Sequence, residues 1–170
     1  RIENPNLMLE GMPNYRSGVD GLRVSNSTKG GITFAASTTQ NGIHMITVVL
    51  GVEAVDGDPY ARFVATSSLM NYVVRTFVSS IVVKEGDPYG KSKATVMDGK
   101  SETVLAVAKK DFYIVEKQGS QAEPKIQFKS NQESFRAPVK SGTNLGKLHY
   151  TDPDKIGRGY LEDQEPTVDM

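Results

Sequence analysis

The chain has 170 residues, a mass of 18.5 kDa and 20 basic against 20 acidic side chains, so its formal charge is zero. A composition of 38% apolar and 24% charged residues, with a mean hydropathy of −0.37, is that of a soluble globular protein of one domain or two small ones. The even charge argues against nucleic-acid binding, the lack of Cys excludes disulfides, thiolate metal sites and Cys nucleophiles, and two histidines, His44 and His149, are too few for a multi-histidine metal centre.

The chain opens Arg-Ile-Glu-Asn-Pro-Asn, which is no signal-peptide pattern and reads as a continuation of an upstream segment. No run of about 18 apolar residues occurs, so no transmembrane helix is expected. Residues 1–80 hold 12 charged side chains and residues 81–170 hold 28, each set balanced in sign. That doubling of charge density predicts two structural units with a boundary near residue 80.

In the first unit, Val19–Val24, Gly31–Thr38 and Gly42–Gly51 read as strands, with Asn41-Gly42 as a hairpin turn because both residues tolerate positive φ. Met45–Leu50 is almost continuously apolar, the mark of a strand covered on both faces. Asp58-Pro59 predicts a helix N-cap and first helical position. The helix should run to about Phe77, with Phe63, Met70, Val74 and Phe77 on one side and Leu69 and Val73 alongside. One helix covers one sheet face, so the second face has no cover within residues 1–80.

The second unit reads as all-β. Candidate strands are Ile81–Lys84, Lys93–Met97, Thr103–Ala108, Asp111–Glu116, Lys125–Lys129, Leu145–Tyr150 and a short terminal pair near Tyr160 and Val168. Turns fall at Asp98-Gly99 and Lys109-Lys110-Asp111. The spacing suggests a small β-sandwich or barrel. The fold class expected is therefore α+β followed by all-β, a partial antiparallel sheet with one covering helix and then a small β domain.

Chemistry-bearing groups are few. His44, on a strand expected to be buried or half-buried, and His149, on a late strand, read as structural histidines before bases. Gly30-Gly31 is not followed by a helix and lacks the free N–H groups of a phosphate site. The lysines from Lys84 to Lys117 alternate with acids, as a solvated surface does. Tyr60, Tyr72, Tyr113 and Phe112 read as core or interface residues. No metal or dinucleotide motif is present.

One stretch is not generic. Asn4-Pro-Asn-Leu-Met-Leu-Glu-Gly-Met-Pro-Asn-Tyr-Arg-Ser-Gly-Val-Asp-Gly-Leu22 resembles the segment that leads into the third active-site motif of low-molecular-mass penicillin-binding proteins, the serine D-alanyl-D-alanine carboxypeptidases. Ile46–Leu50, then Pro59-Tyr-Ala-Arg-Phe63 and its helix, resemble the end of their catalytic domain. Val104–Val107, Phe112–Val115 and Ala137-Pro-Val-Lys-Ser-Gly142 with Leu145-Gly146 resemble their C-terminal domain. The resemblance implies that residues 1–80 correspond to the end of a catalytic domain and residues 81–170 to a C-terminal β-sandwich accessory domain. It implies no cofactor and no metal. For the parent family it implies peptidoglycan stem peptides and β-lactams as partners, an extracellular wall location, and attachment to the membrane through an amphipathic helix that does not appear before Met170.

Two departures matter. The family nucleophile lies in Ser-x-x-Lys, followed by Ser-x-Asn, both upstream of Lys-Thr-Gly; neither motif occurs here. Aligned without gaps, Arg23-Val24-Ser25 stands where Lys-Thr-Gly is expected, with Gly31 matching the family glycine six residues on. Arg23 keeps the charge and could clamp a carboxylate. Val24 lacks the hydroxyl that helps bind the terminal carboxylate, and Ser25 adds a side chain where close approach is wanted. One lost hydrogen bond to a charged group costs about 1.5–3 kcal/mol, but a missing nucleophile removes the covalent route altogether. Two functions remain open: the C-terminal portion of a carboxypeptidase-like enzyme, inactive as this chain, or a natural non-catalytic relative that binds or scaffolds at the wall. In either case, self-association through the uncovered sheet face, or rearrangement, is expected to supply the missing cover.

Overall fold

The computed structural model describes residues 3–53, 57–58, 60–153, 157, 159–160 and 164–170. The chain divides into two compact units, 1–79 and 80–170. The described residues are mostly β-sheet with one helix.

The first unit is a three-stranded antiparallel sheet in the order β1 (Val19–Ser27), β2 (Gly31–Gln40), β3 (Ile43–Val52). β2 and β3 are joined by Asn41-Gly42, both at positive φ (52° and 75°), the two-residue turn that matches strand twist. The pleat sends Ile43, Met45, Thr47 and Val49 inward. Facing them is α1 (Ala61–Thr76), which buries Phe63, Thr66 and Met70. Phe34 on β2 meets Phe63 edge-on, with ring centroids 5.1 Å apart. Met8, fully buried, completes this core from the segment before β1.

The same pleat turns His44, Ile46, Val48 and Leu50 outward, and Leu50 is 75% exposed. The expectation of a strand covered on both faces is therefore corrected, as is the buried or half-buried placement of His44: strict alternation puts every second residue on the face that α1 does not reach.

The helix begins later than its sequence signals suggest. Tyr60 is the N-cap; Asp58 lies before it and accepts the Tyr60 N–H through Oδ1 at 2.8 Å. Pro59, expected at the first helical position, lies outside the described residues. The expected stripe of Phe63, Met70, Val73, Val74 and Phe77 packs on the core; Leu69 is exposed instead, and Arg62 is buried. The helix ends as expected: Phe77, extended, is its C-cap, donates its N–H to the Val73 carbonyl and opens β4 (Phe77–Val83).

In the second unit β4 pairs with β7 (Phe112–Lys117). β5 (Lys93–Met97) pairs antiparallel with β6 (Thr103–Leu105) and parallel with β9 (Phe135–Arg136). β10 (Gly146–Thr151) lies between β8 (Lys125–Ser130) and β11 (Thr167–Asp169). Leu148, Tyr150, Val168, Phe112, Ile114 and Phe135 form the core that these sheets share. No barrel closes among the described residues. β9 has no strand signature because two residues are too few for alternation to register. Tyr160, expected in a terminal strand pair, sits in a bend; Val168 does pair, with Leu148. Phe112 is core, but Tyr60, Tyr72 and Tyr113 are exposed, so the core reading fails for those three.

Candidate functional site

The segment before β1 is tied down by a side chain rather than by sheet pairing. Asn6, 2% exposed, accepts the Met8 N–H through Oδ1 at 3.0 Å and donates from Nδ2 to the Gly21 carbonyl at 3.4 Å. Arg16 donates to Asn71 Oδ1 at 2.8 Å and to Gln40 Oε1 at 2.9 Å, joining this segment to the helix and to β2. Burial lowers the Arg16 pKa without threatening its charge. The polar residues of this stretch thus set the entry angle of β1.

β1 is an edge strand, with β2 on one side and no strand on the other among the described residues. Arg23, Val24 and Ser25 lie in its middle, in register with Ala35, Phe34 and Thr33. Arg23 and Ser25 are exposed. Val24 is half-buried and packs on the core beside its partner Phe34. A hydroxyl at that position would face apolar carbon. Gly31 sits at the far end of the same pairing, opposite Ser27, at φ +65°; a Cβ there would come within 3.2 Å of the Gly51 Cα. Only glycine suits both demands.

The residue that sequence reasoning overlooked is Arg62. It is 5% exposed on α1 and its guanidinium reaches the β1–β2 pair from the helix side. Nη1 donates to the carbonyl of Ser25 at 3.1 Å and to that of Thr33 at 3.2 Å, while Nη2 donates to Asn26 Oδ1. The charge also lies 5.9 Å from the centroid of the Phe63 ring. Burial lowers its pKa, yet a guanidinium stays protonated. Arg62 therefore clips the two carbonyls that flank the end of the candidate motif. Its only sequence signal is a lone cation in the first turn of an otherwise apolar helix face.

A second unanticipated contact is Ser37, which donates its hydroxyl to the Asp20 carboxylate. No histidine completes a relay there. His44 stands four residues along β3 from Val48, the residue in register with Ala35 and hence with Arg23. Ser68 donates to the Val64 carbonyl of its own helix at 3.0 Å. The register brings Arg23, Val24 and Ser25 together with Arg62 and brings no nucleophile–base pair to them. Among the described residues, no group of three or more His, Asp or Glu could hold a metal ion, and no helix is long and apolar enough to cross a membrane.

The comparisons with known proteins agree on one lineage. Residues 77–161 match the family described as penicillin-binding protein 5, C-terminal domain. The D-alanyl-D-alanine carboxypeptidase DacA of Haemophilus influenzae is 27% identical over 133 residues, covering 78% of this chain and 32% of that protein. DacA of Escherichia coli K12 is 23% identical over 132 residues, covering 78% and 31%. The chain thus spans about a third of the length of these curated relatives. Among solved structures, a peptidoglycan synthesis regulatory factor (PBP3) from Streptococcus pneumoniae superposes over 99% of this chain and 46% of its own, at 45% identity and a TM-score of 0.92. Penicillin-binding protein 5 of Haemophilus influenzae superposes over 82% of this chain and 40% of its own, at 25% identity and a TM-score of 0.59.

Proposed function

The chain belongs to the penicillin-binding protein 5 C-terminal-domain family, and from that premise we propose that it forms the C-terminal part of a D-alanyl-D-alanine carboxypeptidase-like protein of peptidoglycan metabolism. In this reading residues 1–80 are the end of a catalytic domain and residues 81–170 are an accessory β domain. The whole protein would act outside the cell, on wall stem peptides, would be acylated by β-lactams and would be held at the membrane by a segment other than these. The observation that carries the reading is the open edge of β1 at Arg23–Ser25. An open strand edge can take an extended peptide by backbone pairing, and a cation beside it can hold a carboxylate.

On its own this chain performs no acyl transfer. Its sequence has no Ser-x-x-Lys, Ser-x-Asn or Lys-Thr-Gly, so the nucleophile and base pairing that covalent acyl transfer uses in the family is missing. Incubation with a fluorescent penicillin followed by a denaturing gel should give no covalent band. The triple variant Arg23→Lys, Val24→Thr, Ser25→Gly should give none either, because it restores the motif but not the nucleophile. A band in either lane overturns the assignment of inactivity.

The altered motif itself favours a second reading, a non-catalytic relative that binds or scaffolds at the wall. Arg23 and Ser25 are exposed on an edge that can still pair with a peptide while Val24 has turned into the core. Retention on purified sacculi that is lost on Arg23→Ala, with no penicillin labelling of the full reading frame, supports this reading. Labelling of the full reading frame returns the protein to the enzymes.

A further inference from the structure

The second unit holds a groove that the functional reading above does not use. It has a volume of about 450 Å³ and is lined by Leu105 and Val107 from one stretch of chain, by Val139 and Leu145 from another, and by Met170. Lys109 and Lys140 stand at its rim.

On one wall, the outward backbone groups of Leu105 and Val107 have no strand partner among the described residues. Ala106 donates its N–H to the Ser92 carbonyl at 2.9 Å, Ala108 donates to Asp87 at 2.9 Å, and the Glu102 carbonyl accepts from Val96 at 2.8 Å. The even-numbered residues thus point their backbone groups toward β5 and the loop before it. In extended chain the odd-numbered residues point theirs the other way. Lys109 uses that direction to donate to the Asp169 carbonyl at 2.9 Å. Val107 and Leu105 continue the same edge, β6 has no strand beyond it among the described residues, and both side chains are exposed, at 40% and 46%.

The other wall is built in advance. Thr143 donates through both its N–H (3.2 Å) and its hydroxyl (2.7 Å) to the Lys140 carbonyl. Asn144 Oδ1 accepts from Asn131 Nδ2 at 2.9 Å and from the Gly146 N–H at 3.1 Å. The charge of the groove is also unbalanced. Its one acid, Asp169, lies 4.0 Å from Lys147, whereas Lys109 and Lys140 have no ion pair among the described residues.

We propose that this groove is a docking site for an extended, acidic, apolar segment of a partner protein, which adds as a strand to the Leu105–Val107 edge, sets alternate side chains between Leu105, Val107 and Val139, and meets Lys109 and Lys140 with carboxylates. Main-chain pairing supplies the affinity of such a site and the lysine rim its preference for acids. Neither observation depends on the edge of β1, so the groove and the wall function stand or fall separately.

The probe is a capped hexapeptide of alternating Val and Glu, titrated into the ¹⁵N-labelled 170-residue chain. The expected result is saturable amide shifts, with slowed hydrogen exchange, at Leu105 and Val107. A Val/Lys hexapeptide should bind roughly 10-fold more weakly, since two exposed attractions become two repulsions. A Val/Glu hexapeptide N-methylated at alternate residues should lose binding, since it cannot pair. In Lys109→Glu/Lys140→Glu, a surface double variant that should keep the remaining spectrum, the two hexapeptides should exchange rank. Absence of saturable shifts at these amides up to millimolar peptide, equal response to both charges, or full binding of the N-methylated peptide each overturns the proposal. So does a shift of the same amides with protein concentration alone, which would make the occupant a second copy of the chain.

Discussion

The two units solve the same problem in different ways. In the second, three small sheets turn their apolar sides to one core, so that Leu148, Tyr150 and Val168 are 0–2% exposed and each sheet is covered by the others. In the first, a single sheet has one helix, and the face opposite carries Ile46, Val48 and Leu50 at 55–75% exposure. Isolated apolar residues on a surface are ordinary, but three in register on one strand are a surface prepared for cover. One unit closes its core from within; the other leaves half a sheet to be covered by something else.

The largest effects should come from breaking the closed unit. A Cβ on Gly146 would lie 2.2 Å from the Lys129 carbonyl oxygen and 2.8 Å from the Phe128 ring, contacts that neither strand can yield without losing pairing. Gly146→Ala should therefore destabilise the second unit by several kcal/mol. Tyr150→Ala, which empties a 1% exposed site, should cost about 3–5 kcal/mol. Loss of amide protection across β8, β10 and β11 is the measurement. Unchanged protection in both variants would mean that this core is not what holds the unit.

The next effect tests the clip in the open unit. Arg62→Met keeps the apolar stem but leaves the Ser25 and Thr33 carbonyls and Asn26 Oδ1 without their donor. Losing these part-buried hydrogen bonds from a charged donor should cost about 1.5–3 kcal/mol, read as a lower melting temperature and faster exchange at the β1–β2 amides. Arg62→Lys should recover only part, since one ammonium cannot span the same three acceptors in a fork.

The contrast between the units also explains what could be read from the sequence. Asn41-Gly42 and Lys93–Met97 are local signals that the structure uses where their residues predict, and α1 forms from the expected stretch with its start two residues later. The exposure of His44 and the burial of Arg62 are not local. His44 lies on a nearly apolar strand, and only the number of layers on that strand decides whether its face is dry. Arg62 is buried because β1 and β2 present carbonyls at the point where the helix passes, which no spacing along the helix encodes. β9 fails for a third reason: Phe135–Arg136 pairs in parallel with β5 across 38 residues of chain, and two residues leave no period to detect.

A smaller stability effect, but a direct test of the difference between the units, concerns the bare face. Ile46→Thr/Val48→Thr/Leu50→Thr keeps β-branched or small side chains on an exposed strand and should change monomer stability by less than about 1 kcal/mol. If a second copy covers this face, the parent chain should self-associate in light scattering at high concentration and the triple variant should not. A parent that stays monomeric would show that the face waits for a different cover.

The smallest effect belongs to His149, half-buried on β10. Burial is the first cause that lowers its pKa, followed by Lys129 on β8 and Lys147 on its own strand, with Glu165 acting the other way. A lowered pKa means that the folded chain prefers the neutral ring and the unfolded chain holds more protons between the two values. Stability should therefore fall as pH drops below about 6.5, the ordinary value for an unfolded histidine, and the contribution should level off below the folded value. His149→Gln should remove that component of the slope and leave the rest of the curve unchanged. Chemical denaturation at closely spaced pH values compares the two slopes directly. If they coincide, neither burial nor the Lys129–Lys147 field disfavours the charged ring in the folded chain.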